Sequence, residues 1–208
     1  MSSHHTGTHS NTGTHSNTDT NTNTSNDTVR FSSFDVTSQV FYRSSCGQIV
    51  GLVNLKPIVP GHVLVIPTVP YHRLKEVPPH LVGLLFTAVQ QVATALEDVF
   101  GAEAVTISVQ DGQAAGQTVA HLHVHVLPRR TGDFVENDRV YEHLEAWGFD
   151  RGRGDGDGDG DGVKTEDGRG VDADEVRKPR TRAQMESEAR YLAAFFADGV
   201  YVAPRDRD

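Results

Sequence analysis

The sequence predicts an α+β fold, a mainly antiparallel five-stranded sheet with one long helix and a C-terminal helix. Three observations predict it: short β-branched and aromatic runs joined by turn residues, a single long stretch with helical spacing of apolar residues, and a strand of strictly alternating histidines. Residues 40–43 and 49–53 are the first two strands, and Ser44-Ser45-Cys46-Gly47-Gln48 between them is a hairpin turn. Pro57-Ile58-Val59-Pro60-Gly61 is a rigid turn into a third strand at residues 62–67. After Pro78 and Pro79, apolar residues recur at Leu81, Leu84, Leu85, Ala88, Val92, Ala95, Leu96 and Val99, the spacing of one helix face, and Gly101 stands where that helix should stop. Residues 104–109 are a fourth strand. Residues 181–197 are expected as an amphipathic helix with Met185, Ala189, Leu192, Ala193 and Phe196 on one face.

The fifth strand is His121-Leu122-His123-Val124-His125-Val126-Leu127. Successive side chains of a strand point to opposite faces, so His121, His123 and His125 share one face and Leu122, Val124 and Val126 the other. The apolar face anchors the strand to a core, and the imidazoles are expected to face a cleft. Two chemistries use such an array: a metal site completed by a further ligand, or nucleophilic catalysis at phosphorus, in which a neutral imidazole attacks and its neighbours donate hydrogen bonds. Three merely solvated histidines are the bland alternative. The preceding Gln110-Asp111-Gly112-Gln113-Ala114-Ala115-Gly116-Gln117-Thr118-Val119 supplies flexible glycines, amides, a hydroxyl and exposed backbone N–H groups, which suit an anionic polyphosphate better than a bare cation.

Composition bounds the rest. The chain has 208 residues, formal net charge -9 at pH 7 and one cysteine, Cys46, so no intramolecular disulfide is possible. Residues 150–175 hold ten acids against four bases, so the folded part is near neutral and no basic field points to nucleic acid. No apolar run of membrane-spanning length and no signal region stands out, and a cytoplasmic or nuclear protein is expected. The domain organisation expected is a disordered Ser/Thr/Asn/His tail at 1–28, the folded domain that holds the histidine strand at 30–148, a Gly/Asp-rich disordered insertion at 149–178, a C-terminal helix packing back at 179–198, and a tail at 199–208. His4, His5, His9 and His15 fall in the first tail, where nothing fixes their geometry. Asp155-Gly156-Asp157-Gly158-Asp159-Gly160 with Glu166 fits the letters of a calcium-binding loop, but Gly152 and Gly154 precede it and Gly162 replaces the apolar anchor. A solvated acidic linker is the expectation there. Residues 133–144 read as polar with two aromatics.

The histidine run resembles the signature of the histidine triad (HIT) superfamily of nucleotide hydrolases and transferases. Gln110-Asp111-Gly112, Ala115-Gly116-Gln117-Thr118-Val119, the Val126-Leu127-Pro128-Arg129 exit and the stretch from Leu52 to Val65 resemble its fragile histidine triad branch, the dinucleoside triphosphate hydrolases. The resemblance implies a HIT-like fold, and hydrolysis of diadenosine triphosphate to AMP and ADP through a covalent nucleotidyl-histidine. It implies His123 as nucleophile, His125 at the phosphate and bridging oxygen, His121 and His62 as supporting histidines, and Gln110 on the phosphate or leaving group. Asn54 is implied at the ribose, and Gly116, Gln117, Thr118 and Val119 along the phosphates. Taken alone, Asn54 would be a turn-capping asparagine, and His62 a histidine at the start of a strand. The family's N-terminal ligand-contacting histidine aligns near Asp35. Mg²⁺ or Mn²⁺ is expected with the polyphosphate rather than bound tightly by the protein, and a homodimer with sheets joined edge to edge is expected. Asn137-Asp138-Arg139-Val140-Tyr141-Glu142 resembles the segment carrying a phosphorylated tyrosine in animal relatives, which makes Tyr141 a candidate modification site. Rival readings are a HIT nucleoside phosphoramidase, whose loop and exit usually differ from Thr118 and Pro128-Arg129, a nucleotide-bound signalling sensor, and a three-histidine metal site.

Overall fold

The computed structural model describes residues 28–146 and 179–203. The polar tail up to residue 27, the Gly/Asp insertion with its calcium-loop letters, and residues 204–208 lie outside the described residues.

In chain order the elements are β1 (Arg30–Phe31), β2 (Phe34–Asp35), β3 (Val40–Arg43), β4 (Ile49–Val53), β5 (Val63–Pro67), α1 (Pro79–Phe100), β6 (Ala104–Ser108), β7 (Val124–Arg129), α2 (Arg139–Ala146), α3 (Arg182–Ala193), β8 (Phe196–Ala197) and β9 (Val200–Tyr201). Strands β3 to β7 form one antiparallel sheet in the order β3-β4-β5-β7-β6. The five expected strands are all present, and α1 crosses between the third and the edge strand.

Period-two alternation divides the sheet into two faces. Ile49, Val53, Val63, Val65, Val124 and Val126 pack against α1 and α3. On the other face Val50, Leu52, Leu64 and Ile66 pack against Val29, Phe31 and Val36 of the small β1–β2 hairpin. Helix α1 begins with Pro79 at its first position and ends at Gly101, whose φ of 59° is the left-handed cap, its N–H donating to the Glu97 carbonyl. Leu81, Leu85, Ala88, Val92, Ala95 and Leu96 are buried as their spacing predicts, whereas Leu84 is 37% exposed. By length and composition alone α1 passes as a possible membrane span, as the core helix of a folded protein also can. Its apolar stripe is used here on the sheet, and Leu85 at full burial contributes on the order of 2 kcal/mol.

Three expectations are corrected. The triad strand is regular only from Val124 and runs on to Arg129. His121 and His123 lie before it because their neighbours bond to loops: Leu122 N–H donates to Tyr71 O at 2.6 Å and His121 N–H to Val119 O at 2.8 Å. The C-terminal helix stops at Ala193, and Phe196 belongs to a two-strand hairpin turning at Asp198 and Gly199, with φ of 49° and 76°. Phe196 still reaches the core, its ring centroid 5.1 Å from Tyr42 and 5.9 Å from Phe41. Finally, the polar-looking segment after β7 holds α2, whose Val140 and Leu144 join Ile58, Val59, Leu127 and Phe134 in a separate apolar cluster. Arg129 folds that segment back: it pairs with Asp133 at 2.6 Å, donates to Asn137 at 2.8 Å and lies 4.8 Å from the Phe134 ring centroid.

Candidate active site

His121, His123, His125 and His62 are 0 to 1% exposed, so the imidazoles lie inside the protein rather than along an open cleft wall. They do share the face opposite Leu122, Val124 and Val126, as the alternation predicts. Burial demands a partner for each ring nitrogen, and backbone groups of known polarity fix which nitrogen carries the proton. The Ile58 N–H donates to His62 Nδ1 at 3.1 Å, so His62 carries its proton on Nε2. That Nε2–H donates to His125 Nδ1 at 3.0 Å, which leaves the His125 proton on Nε2. At His123 the order reverses. Its Nδ1 lies 2.7 Å from the His121 carbonyl, which can only accept, so the lone pair is on Nε2. His121 is held at both ends, accepting from Ser32 N–H at 3.1 Å and donating to Pro67 O at 2.8 Å. Phe31 of β1 closes the set, its ring centroid 5.3 Å from both His121 and His123.

Burial keeps the rings of His121, His123 and His125 neutral. Burial pulls His123 down to about 4, against a weaker opposite pull from its bond to the His121 carbonyl. His125 lies well below the ordinary imidazole value, from burial first and then from His123 and His62 beside it. His121 is lowered by burial despite the Pro67 carbonyl. At neutral pH the site therefore offers a lone pair on His123 Nε2 and an N–H on His125 Nε2, with ring centroids 4.9 Å apart.

The loop after β6 is built from its own side chains. Asp111 accepts from Arg73 Nε at 3.0 Å and from Leu74 N–H at 2.8 Å, and the Arg73 guanidinium holds its carboxyl below the usual range. Gly112, at φ 103°, lies so close to Arg73 that a Cβ would meet the guanidinium carbon at 2.6 Å. Gln117, expected on the phosphates, is occupied within the protein: its Oε1 accepts from Gly112 N–H at 2.8 Å and its Nε2 donates to His72 O at 2.9 Å. Gln110 donates through Nε2 to the Leu144 carbonyl near the end of α2 at 3.0 Å. It lies against Gly116, where a Cβ would come within 2.6 Å of that nitrogen.

Asn54, Thr118 and Val119 do come together, on a cavity of about 420 Å³ that Asp35 also lines. The cavity's apolar walls are Phe31, Val36, Leu52, Leu55 and Leu64, which the sequence reading missed. The signal was available, since Leu52 and Leu64 alternate with residues of the helix face. Asn54 is both a turn cap and a site residue: its Oδ1 accepts from Lys56 N–H at 3.3 Å, and its Nδ2 lies 3.2 Å from both ring nitrogens of His62. Asp35 is held below the usual carboxylate range by hydrogen bonds from Thr37. Tyr141 stands on α2, 53% exposed. Among the described residues no three His, Cys, Asp or Glu side chains are gathered to hold a metal ion.

Residues 33–132 match the HIT domain. Over 176 residues the chain is 45% identical to a bis(5'-nucleosyl)-tetraphosphatase (asymmetrical) of Schizosaccharomyces pombe, covering 81% of this chain and 94% of that protein. It is 38% identical over 108 residues to a bis(5'-adenosyl)-triphosphatase of Dictyostelium discoideum, covering 52% of this chain and 71% of that protein. Among solved structures, a Plasmodium falciparum diadenosine triphosphate hydrolase in complex with cyclomarin A aligns over 80% of this chain and 82% of its own, with TM-score 0.53 and 20% identity, which is a likeness of fold.

Proposed function

The chain belongs to the HIT family, and from that premise we propose that it is a dinucleoside polyphosphate hydrolase splitting diadenosine triphosphate into AMP and ADP. One observation carries the chemistry: the His121 carbonyl at His123 Nδ1 and the His62 Nε2–H at His125 Nδ1 leave a lone pair on His123 Nε2 and a proton on His125 Nε2 in neighbouring neutral rings.

His123 Nε2 attacks the α-phosphorus. A P–N bond forms, the P–O bond to ADP breaks, and His125 Nε2–H donates to the departing bridging oxygen. His62 keeps that proton on the outer nitrogen by filling His125 Nδ1. Water then attacks phosphorus while His125 Nε2–H donates to a phosphoryl oxygen, and the water proton is released to solvent. The P–N bond breaks, AMP leaves, and the electron pair returns to His123. One nucleoside lies in the cavity of Phe31, Leu52, Leu64 and Asn54, with Thr118 and Val119 beside its phosphates. Gln110 reaches the phosphate only after its amide leaves the Leu144 carbonyl. The polyphosphate brings Mg²⁺ or Mn²⁺ on its own oxygens, which neutralises charge before binding. A second copy pairs along β6, an edge strand with Ile107 45% exposed.

A second reading differs in chain length, and the fission yeast relative favours it: asymmetric cleavage of diadenosine tetraphosphate into AMP and ATP. Incubation with diadenosine triphosphate, diadenosine tetraphosphate and adenosine phosphoramidate, with chromatographic separation of products, decides. AMP and ADP from the triphosphate at the highest kcat/KM is the expected result. Preferred turnover of the phosphoramidate would move the protein to another HIT activity.

A further inference from the structure

The chain re-enters the described structure at residue 179, and the next residue makes a contact that the site so far has not used. Arg180 is largely buried, its side chain 16% exposed, and its Nε and Nη2 both donate to one acceptor, the Asn54 carbonyl, at 2.9 and 2.5 Å. Its backbone N–H donates to Leu55 O at 2.9 Å, and its remaining guanidinium nitrogen pairs with Glu188 of α3. Burying a guanidinium costs solvation that an ion pair alone does not surely return. What it grips is the peptide between Asn54 and Leu55, one residue past the last β4–β5 pair, Val53 with Val63. Two N–H groups on one carbonyl fix the plane of that peptide. The Asn54 side chain leaves the same residue, with Nδ2 3.2 Å from both nitrogens of His62, and His62 donates to His125 at 3.0 Å.

We propose that Arg180 is a positioning residue for the hydrolysis, holding the Asn54 turn so that Asn54 orients His62 and His62 keeps the His125 proton aimed at the leaving oxygen. The segment that follows the Gly/Asp stretch thereby becomes part of the catalytic apparatus without touching substrate. Arg serves this role better than Lys because the fork reaches one carbonyl with two N–H groups and still pairs with Glu188.

This assignment rests on the hydrolase reading, and a double-mutant cycle on diadenosine triphosphate turnover tests it. Arg180→Ala is expected to lower kcat about tenfold while KM moves less than about threefold. In an Asn54→Ala background the same change is expected to cost less than about twofold, since the side chain that transmits the effect is gone. Arg180→Lys, which keeps a cation for Glu188 and loses the fork, should recover part of kcat, and it carries the same cycle if Arg180→Ala does not fold. Wild-type kcat in Arg180→Ala, or losses that multiply independently in the double variant, overturns the assignment and leaves Arg180 a structural clip. Wild-type protein that turns over no dinucleoside polyphosphate would instead sink the hydrolase reading itself.

Discussion

His123 is the one of the four histidines whose proton sits on Nδ1, and that difference separates its task from the others'. His123→Asn keeps a polar group of similar reach but has no nitrogen able to form a P–N bond, so kcat should fall by several orders of magnitude while substrate binding, followed by calorimetry, survives. His125→Ala removes one donor to developing charge and should cost about 3 to 4 kcal/mol in kcat/KM at most, the scale of one such donor. Equal losses in steady-state kinetics would remove the distinction. The residues that carry this chemistry were legible because alternation on a strand needs no tertiary knowledge. Their tautomers were not, because the groups that fix them, Ser32, Ile58 and Pro67, stand far along the chain from His121, His62's loop partner excepted. Gln117 shows the converse: its family position is right, yet both ends of its amide hold the loop.

At the scale of elements, long periodic segments read correctly and short ones did not. Strands β3 to β5 and helix α1 carry enough apolar repeats to declare themselves, whereas β1, β2, β8 and β9 have two residues each and take their order from what they pack on. Asp198-Gly199 was the readable cue for the last hairpin, a two-residue turn in which both residues have positive φ. Gly199→Ala should destabilise by about 1 to 3 kcal/mol, because φ is 76° and a Cβ would stand 2.5 Å from the Arg43 carbonyl oxygen. Thermal melting checks it, and an unchanged Tm would show that the hairpin is not docked on β3. The β1–β2 hairpin has a functional consequence, since Phe31 is part of what dries the His123 ring. Phe31→Ala should raise His123 from about 4 toward the ordinary imidazole range, read by NMR titration of its ring protons. A value that stays put would assign the drying to other neighbours.

For the molecule as a whole, three buried neutral imidazoles make stability depend on acidity. Each has its folded value below the unfolded one, so its contribution is complete above about pH 6.5 and is lost as pH falls toward the folded values. His123 alone should make folding about 3 kcal/mol less favourable at pH 4 than at pH 8, since the unfolded ring binds a proton that the folded one resists. Urea midpoints across that range should fall with pH, and substitution of His123 by Asn should flatten part of the slope. The fold was legible from alternation and helical spacing, but the drying of the site was not, because the β1–β2 hairpin that lays Phe31 on His121 and His123 comes from a distant part of the chain. The central claim is that His123 Nε2 attacks phosphorus and carries the nucleotide, and turnover in heavy-oxygen water with radiolabelled substrate tests it most directly. The account predicts acid-labile, base-stable label on His123 after rapid quench and heavy oxygen in AMP alone; heavy oxygen in ADP, or no labelled protein with full turnover, would mean that water attacks directly.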